Sequence, residues 1–222
     1  IELLLRESDR ILFVIPFKKL VDSGVIKPHH LSTDTEKFMD VVKKYPVIFI
    51  TLRDGQLWSD SGIDSSNHPE GTYSIPPRNL DDIAKDIAIK IREKTGKYVA
   101  VIISDTEVMP FGSLDIARGS YGITVITRGF GGLDRYGKPK FGGVDNLVHE
   151  ACCAAALLMR QCSEGIPVVI IRGLQYERSS DCISKHSLAL GTLKRTVLVE
   201  ILKETARILG LRHVISLLTA RT

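Results

Sequence analysis

The sequence predicts a fold of both helices and strands, on three observations. Asp54-Gly55 between two strand-like runs is the signature of a tight hairpin. The stretch 80–95 has apolar residues at helical spacing and Gly96 at its end, and Tyr98-Val99-Ala100-Val101-Ile102-Ile103 follows at once as a buried strand. A third segment, 187–209, repeats apolar residues at the spacing of a long helix. No internal repeat, low-complexity tract or Pro/Ser-rich linker interrupts the chain, so residues 1–222 are expected to form one unit.

Taken in order, Leu4, Leu5, Ile11 and Leu12 suggest the end of a helix entering a strand, and Gly24 and Pro28 make 16–31 an irregular or short helical connection. Thr33-x-x-Glu36 predicts a capping box for a helix reaching Lys44, with Phe38, Val41 and Val42 toward the core. Val47-Ile48-Phe49-Ile50-Thr51-Leu52 is a strand and 57–60 its return. Tyr73, Ile75 and Pro76-Pro77 form a short edge segment ended by proline. The helix at 80–95 takes Asn79 as N-cap, Asp81 and Asp82 in its first turn, and Ile83, Ile87 and Ile91 on one face. Residues 122–127 are β-rich, and the glycines of 128–143 predict a loop long enough to be functional. A helix over 144–160 is apolar or small on nearly all sides and is expected to be buried. Val168-Val169-Ile170-Ile171 is a buried strand ending in Arg172-Gly173, and Leu190, Leu193, Val197, Ile201 and Ile208 line the packing face of the last helix.

Composition narrows the classes. The hydrophobic fraction of 44% is ordinary for a globular protein, and the net charge of +4 suits an anionic small ligand. Lysine and arginine are scattered among acids, without interleaved aromatics, which argues against nucleic acid. The longest apolar run, 151–159, falls far short of the ~20 residues that span a bilayer, so no membrane partner is expected. Neither a secretory signal nor a C-x-x-C pair is found. Cys152, Cys153, Cys162 and Cys182 are expected as free thiols in a reducing cytoplasm. The chain opens on Ile1 rather than methionine, and further chain is expected ahead of it.

Two acidic stretches carry the chemistry. Ser104-Asp105-Thr106-Glu107 sits at the carboxyl end of the predicted strand, where α/β folds gather ligands, and Asp60-Ser61-Gly62-Ile63-Asp64-Ser65-Ser66-Asn67 has the same character. Two carboxylates brought together repel, and one keeps its proton unless a cation lies between them. Oxygen ligands from Asp64, Asp105, Thr106 and Asn67 suit Mg²⁺ or Mn²⁺. The local alternative is that Asp64 caps the turn at 65–67 and Asp105 a following loop. Arg172, Arg178 and Lys185-His186-Ser187 offer cations against phosphate, or a solvated basic edge, and Trp58 and Tyr73 could stack a ring or fill the core. No G-x-x-x-x-G-K-[ST] or G-x-G-x-x-G loop occurs, and His149-Glu150 lacks the second histidine of a zinc peptidase.

Several stretches in fixed order carry a resemblance: Ser61-Gly62-Ile63-Asp64-Ser65-Ser66-Asn67, Glu70-Gly71-Thr72, Pro76-Pro77 and Lys97 through Ile102-Ile103-Ser104-Asp105-Thr106. Asp134-Arg135-Tyr136-Gly137, Glu150 with its small-residue helix to Met159, and Gly165-Ile166-Pro167-Val168-Val169-Ile170-Ile171-Arg172-Gly173 follow. Together, over about half the chain, they resemble the archaeal-type coenzyme F-420 gamma-glutamyl ligase family. The resemblance implies a ligase-like, intertwined mixed-sheet α+β fold with packed helices, a homodimer, and a cytoplasmic enzyme. It implies transfer of the GTP γ-phosphate to a carboxylate of the deazaflavin coenzyme, then attack by the amine of L-glutamate on the acyl phosphate. Carried over by position, Asp64 and Asp105 are the catalytic pair binding one Mg²⁺ or Mn²⁺, and Thr106 helps hold a second. Asn67, Gln161, Ser163, Gly165 and Arg172 face the nucleotide, and a monovalent cation is compatible with the site.

Departures from the family pattern set up an alternative. The family's Gly-Glu-Gly-Gly-Asp-Gly loop is here Arg160-Gln161-Cys162-Ser163-Glu164-Gly165, with Gln161 where a metal-binding Glu is expected. Its Asn-Gly-Arg-x-Phe-Arg stretch becomes Glu107-Val108-Met109-Pro110-Phe111-Gly112, with Arg118-Gly119 further on, and its N-terminal nucleotide contacts are not evident. The alternative is a diverged paralogue that binds metal, nucleotide or another anion without forming the bond.

Overall fold

A computed structural model of the chain describes residues 1–109, 112–186 and 195–219. The chain runs α1 (Glu2–Glu7), β1 (Arg10–Ile15), α2 (Phe17–Asp22), α3 (Thr35–Lys44), β2 (Ile48–Arg53), β3 (Gln56–Ser59) and α4 (Leu80–Thr95). It continues through β4 (Val101–Met109), β5 (Gly112–Tyr121), α5 (Leu147–Met159), α6 (Arg195–Leu209) and α7 (Leu211–Thr219). The class is α+β, as expected, and every described strand pairing is antiparallel.

The first sheet has the order β1-β2-β3. Asp54 and Gly55 join β2 to β3 with φ of 51° and 74°, the left-handed pair that a two-residue hairpin requires. The second sheet is the hairpin β4-β5, with Thr106 opposite Asp115 and Asp105 opposite Ile116. Its register shifts between Ile103 and Ser104, which pair with Gly119 and Ala117, so Arg118 is the extra residue of a bulge. The core lies between this hairpin and α5, where Ala117, Ile123, Val125, Val148, Cys152 and Ile183 are buried together. In α4, Asp81 Oδ1 accepts the Ser120 amide at 2.7 Å, joining the helix start to β5. The joint is tight: a Cβ on Gly119 would lie 2.4 Å from the Leu80 carbonyl carbon. Gly119→Ala is therefore expected to cost about 1–3 kcal/mol as overpacking against backbone, read from the denaturant midpoint.

Several expectations need correction. Tyr98 and Val99 are not a buried strand: β4 begins at Val101, and the exposed Tyr98 ring lies between the guanidinium groups of Arg92 and Arg178, at 3.9 and 4.8 Å. Asp105 is thus mid-strand rather than at a strand end, because β5 continues the pairing past it. The α3 cap is Asp34, whose carboxylate accepts the Lys37 amide at 2.9 Å, and Val42 is buried while Val41 is exposed. Asn79 precedes α4 in left-handed geometry with no side-chain cap bond. In place of a strand at 122–127 there is one bridge, Ile126 to Asn146. Leu157 and Leu158 of α5 are exposed, so that helix buries one face only. The segment 168–171 is not a strand, and Val168 and Ile170 are 74% and 73% exposed, lacking a neighbouring strand to cover them. The predicted last helix is described from Arg195. Its positions Leu190 and Leu193 lie outside the described residues, as does the side chain of Val197. No helix among the described residues is long and apolar enough to cross a membrane.

Candidate functional site

Asp64 is presented by a turn that the first sheet holds in tension. Asp60, Ser61 and Gly62 have consecutive positive φ values of 48°, 56° and 71°, and each non-glycine residue there carries a cost on the order of 1 kcal/mol or more. The surroundings over-determine the turn. The Phe49 amide donates to Asp60 Oδ1 at 2.9 Å, the Ser61 amide and hydroxyl donate to Thr51 Oγ1 at 3.1 and 2.9 Å, and buried Arg53 donates to the carbonyls of Ser61 and Pro76. A Cβ on Gly62 would sit 2.6 Å from the Trp58 ring and from Pro76 Cγ, so no side chain fits there. Beyond the turn the Asp64 and Ser74 backbones bridge, and the Asp64 carboxylate accepts from the Ser66 amide and hydroxyl. The local capping role expected of Asp64 is therefore present, and the same carboxylate faces a cleft.

Opposite stand Asp105 and Thr106 on β4. Burial holds the Asp105 carboxyl above the ordinary carboxylate range; the Thr106 amide and the Arg118 charge pull it back, while Asp64 and Asp115 add to the rise. The third wall follows α5, where Arg160 ends the helix with φ of 57° and leads into 161–167. The Asn67 side-chain amide donates to the Cys162 carbonyl at 2.7 Å, tying this wall to the turn carrying Asp64. The Cys162 amide in turn donates to Glu164 Oε2 at 2.9 Å.

These three walls enclose a cleft of about 780 Å³. Asp64, Asn67, Asp105, Thr106, Gln161, Ser163 and Gly165 all line it, so seven of the eight expected site residues come together. Arg172 is not among its lining residues, and neither Lys185 nor Arg178 reaches it; Lys185 lines a second cavity instead. Among the described residues no three His, Cys, Asp or Glu side chains group as a metal cage. The donors that do converge are carboxylate, hydroxyl and carboxamide oxygens, a hard set that fits Mg²⁺ or Mn²⁺ completed by water or phosphate. The four cysteines are free, and burial pushes the Cys152 thiol up to about 12, which leaves it inert at neutral pH.

Sequence reasoning missed the layer beneath the cleft. Glu107 and Arg118 form a buried ion pair across the hairpin. Glu107 Oε2 accepts the Ser59 amide and hydroxyl at 2.6 and 2.7 Å, while Arg118 donates to the Leu57 carbonyl at 2.6 Å and lies 3.8 Å from the Trp58 ring centre. Together they weld the two sheets behind Asp105. Asp115, also missed, accepts from Thr106 Oγ1 at 2.7 Å and Gln161 Nε2 at 3.0 Å. The signal for both was the second half of the hairpin: had 112–121 been recognised as the return strand, Thr106 and Glu107 would have had cross-strand partners to find. His149 also lies in this layer. Its Nδ1 accepts the Ala117 amide at 2.9 Å, and burial together with the Arg118 charge keeps it below the ordinary histidine range, hence neutral.

The fold and cleft thus define a class, an α+β protein with an oxygen-lined cleft assembled from a strained turn, a β-hairpin and the loop after a helix. The family model described as F420-0:Gamma-glutamyl ligase matches residues 1–173, and the chain belongs to this family. The match begins at the first residue, ahead of the stretches that carried the resemblance. Proteins named coenzyme F420:L-glutamate ligase are similar to it. The one from Methanosarcina mazei is 34% identical over 162 residues, covering 72% of this chain and 64% of the relative. That from Methanopyrus kandleri is 36% identical over 166 residues, 73% of this chain and 66% of the relative, and that from Methanocaldococcus jannaschii 37% over 166, 72% and 66%. The chain spans less than two thirds of the length of these relatives.

Proposed function

We propose that this chain provides the catalytic cleft of a GTP-dependent ligase that joins L-glutamate through a gamma-glutamyl amide bond to a deazaflavin coenzyme of the F420 type. The observation that carries the reading is the meeting of Asp64, Asn67, Asp105, Thr106, Gln161, Ser163 and Gly165 in one cleft from three separate segments. In this reading a carboxylate oxygen of the coenzyme attacks the γ-phosphorus and GDP leaves. The amine of glutamate then attacks the acyl carbon, inorganic phosphate leaves, and the amine proton passes to solvent or base. Asp64 and Asp105 would hold one Mg²⁺ or Mn²⁺, and Thr106 a second. When bound, such ions would neutralise the charge that develops on the transferring phosphoryl group. Asn67 spends one N–H on Cys162 and keeps Oδ1 for a nucleotide donor; Gln161, Ser163 and Gly165 would border the phosphates, beside room for a monovalent cation. Asp105, whose charged form is disfavoured by burial and by the nearby carboxylates Asp64 and Asp115, gains from a cation beside it.

The reading extends to a cytoplasmic homodimer. Val168 and Ile170, and Phe130, Leu133, Tyr136 and Phe141 on the 129–143 loop, are exposed apolar surface that a second copy would cover, and Arg172 would then serve at the subunit boundary. A second reading, a non-ligating paralogue, is favoured by one observation: the loop at 160–165 offers a single glycine to approach phosphate. Incubating the chain with GTP, Mn²⁺, L-glutamate and the unglutamylated coenzyme tests both. Release of GDP with a coenzyme mass gain of one glutamyl unit is the expected outcome. Tight GTP and Mn²⁺ binding by calorimetry without turnover would establish the paralogue instead.

A further inference from the structure

The carboxylate of Asp115 does not line the cleft, yet it sits where it governs two side chains that do. It is 6% exposed on β5, directly opposite Thr106, and it is not a lining residue. One oxygen, Oδ1, accepts from both Thr106 Oγ1 and Gln161 Nε2. Both neighbours act as donors toward it. The Thr106 hydroxyl spends its single hydrogen there, and what remains on Oγ1 is lone pairs. The carboxamide of Gln161 is likewise fixed in orientation, since its oxygen cannot face the carboxylate, which leaves Oε1 and one remaining Nε2 hydrogen for other partners.

We infer that Asp115 is a positioning residue that fixes two neutral side chains so that their acceptor oxygens, Thr106 Oγ1 and Gln161 Oε1, are the atoms left for a ligand, and so favours a cation at this wall of the cleft. A glutamine at this place would otherwise present either end of its amide; with Asp115 behind it, the neutral residue keeps the acceptor character that a glutamate would have had. The inference rests on the ligase reading only for the presence of a divalent ion. The negative charge of Asp115 also reaches Asp105, adding to the field that favours a cation there.

The test uses Mn²⁺ alone with the full chain, following free Mn²⁺ by electron paramagnetic resonance, and needs neither nucleotide nor coenzyme. Asp115→Ala is expected to weaken Mn²⁺ affinity about 10- to 100-fold, the range found when partners of metal ligands are removed. Asp115→Asn, which keeps an acceptor oxygen, should fall between Ala and wild type. Gln161→Ala, at an exposed position, should weaken Mn²⁺ binding in an otherwise folded chain, and combining it with a change at Asp115 should cost less than the sum of the two. If Asp115→Ala does not fold, the Asp115→Asn and Gln161→Ala pair carries the same comparison. Unchanged Mn²⁺ affinity in folded Asp115 variants, with only thermal stability lowered, overturns the positioning role and leaves the ligase reading intact. Absence of Mn²⁺ binding by the wild-type chain overturns both. A wild-type chain that binds Mn²⁺, with a weakened Asp115 variant and no turnover, upholds the positioning role and overturns the ligase reading.

Discussion

Arg118→Met is expected to lose about 3–5 kcal/mol of folding stability, the cost of stranding a buried charge when its partner is removed. The side chain is 2% exposed, and burial pulls its guanidinium down to about 10, which still leaves it charged at neutral pH. Its removal strips Glu107 of its countercharge between two sheets and leaves it only the Ser59 donors. The methionine fills most of the volume, so the loss is electrostatic rather than a cavity. Adding Glu107→Gln, which keeps an acceptor for Ser59 and removes the orphaned charge, should return most of the stability. Denaturant unfolding measures both, and a single-variant loss below about 1 kcal/mol would mean that the pair is not coupled to folding. The one tryptophan, Trp58, has Arg118 at 3.8 Å and Arg53 at 5.8 Å from its ring, so its fluorescence should report the same substitution directly.

Asp105→Asn separates function from fold in the opposite sense. Turnover in the proposed ligation should fall by about 10²-fold or more, since a lost metal contact is worth several kcal/mol and each factor of ten in rate about 1.4 kcal/mol. Stability should hold or rise, because Asn keeps an oxygen for the Thr106 amide, 2.9 Å away, and removes the burial cost of a charge. The sign with pH follows. Wild type, with its folded carboxyl raised, loses stability as pH climbs from the ordinary aspartate value of about 3.9 through the raised one; the Asn variant does not. The gap should therefore widen with pH across that window and stay level above it. A variant that unfolds, or one that turns over normally, would remove Asp105 from the proposed machinery.

The hairpin at Asp54-Gly55 and the stop at Gly96 were legible because glycine and its neighbours dictate backbone geometry locally. The cleft was legible for a different reason: the stretches holding Asp64, Asp105 and 160–165 carry ordered family motifs, although their spacing says nothing of contact. What could not be read was whatever depends on a distant strand. Ser104-Asp105-Thr106-Glu107 looked like a strand's polar exit, since four polar residues rarely continue a buried ladder; here they do, because β5 supplies Asp115 and Arg118 to satisfy them. At 168–171 the error ran the other way. A β-branched run signals that something covers it, and nothing in the run says whether the cover is its own chain.

The bond from Asn67 to Cys162 spans 95 residues and joins two exposed positions. Such a closure is entropically expensive to make and worth only about 0.5–1.5 kcal/mol once made. One such bond is a weak clasp, so the two lips are expected to part by local fluctuations more readily than the β4–β5 hairpin opens. Amides at 161–165 are accordingly expected to exchange faster than those of the hairpin, and a ligand that bridges the two lips would act as a further cross-link and slow that exchange.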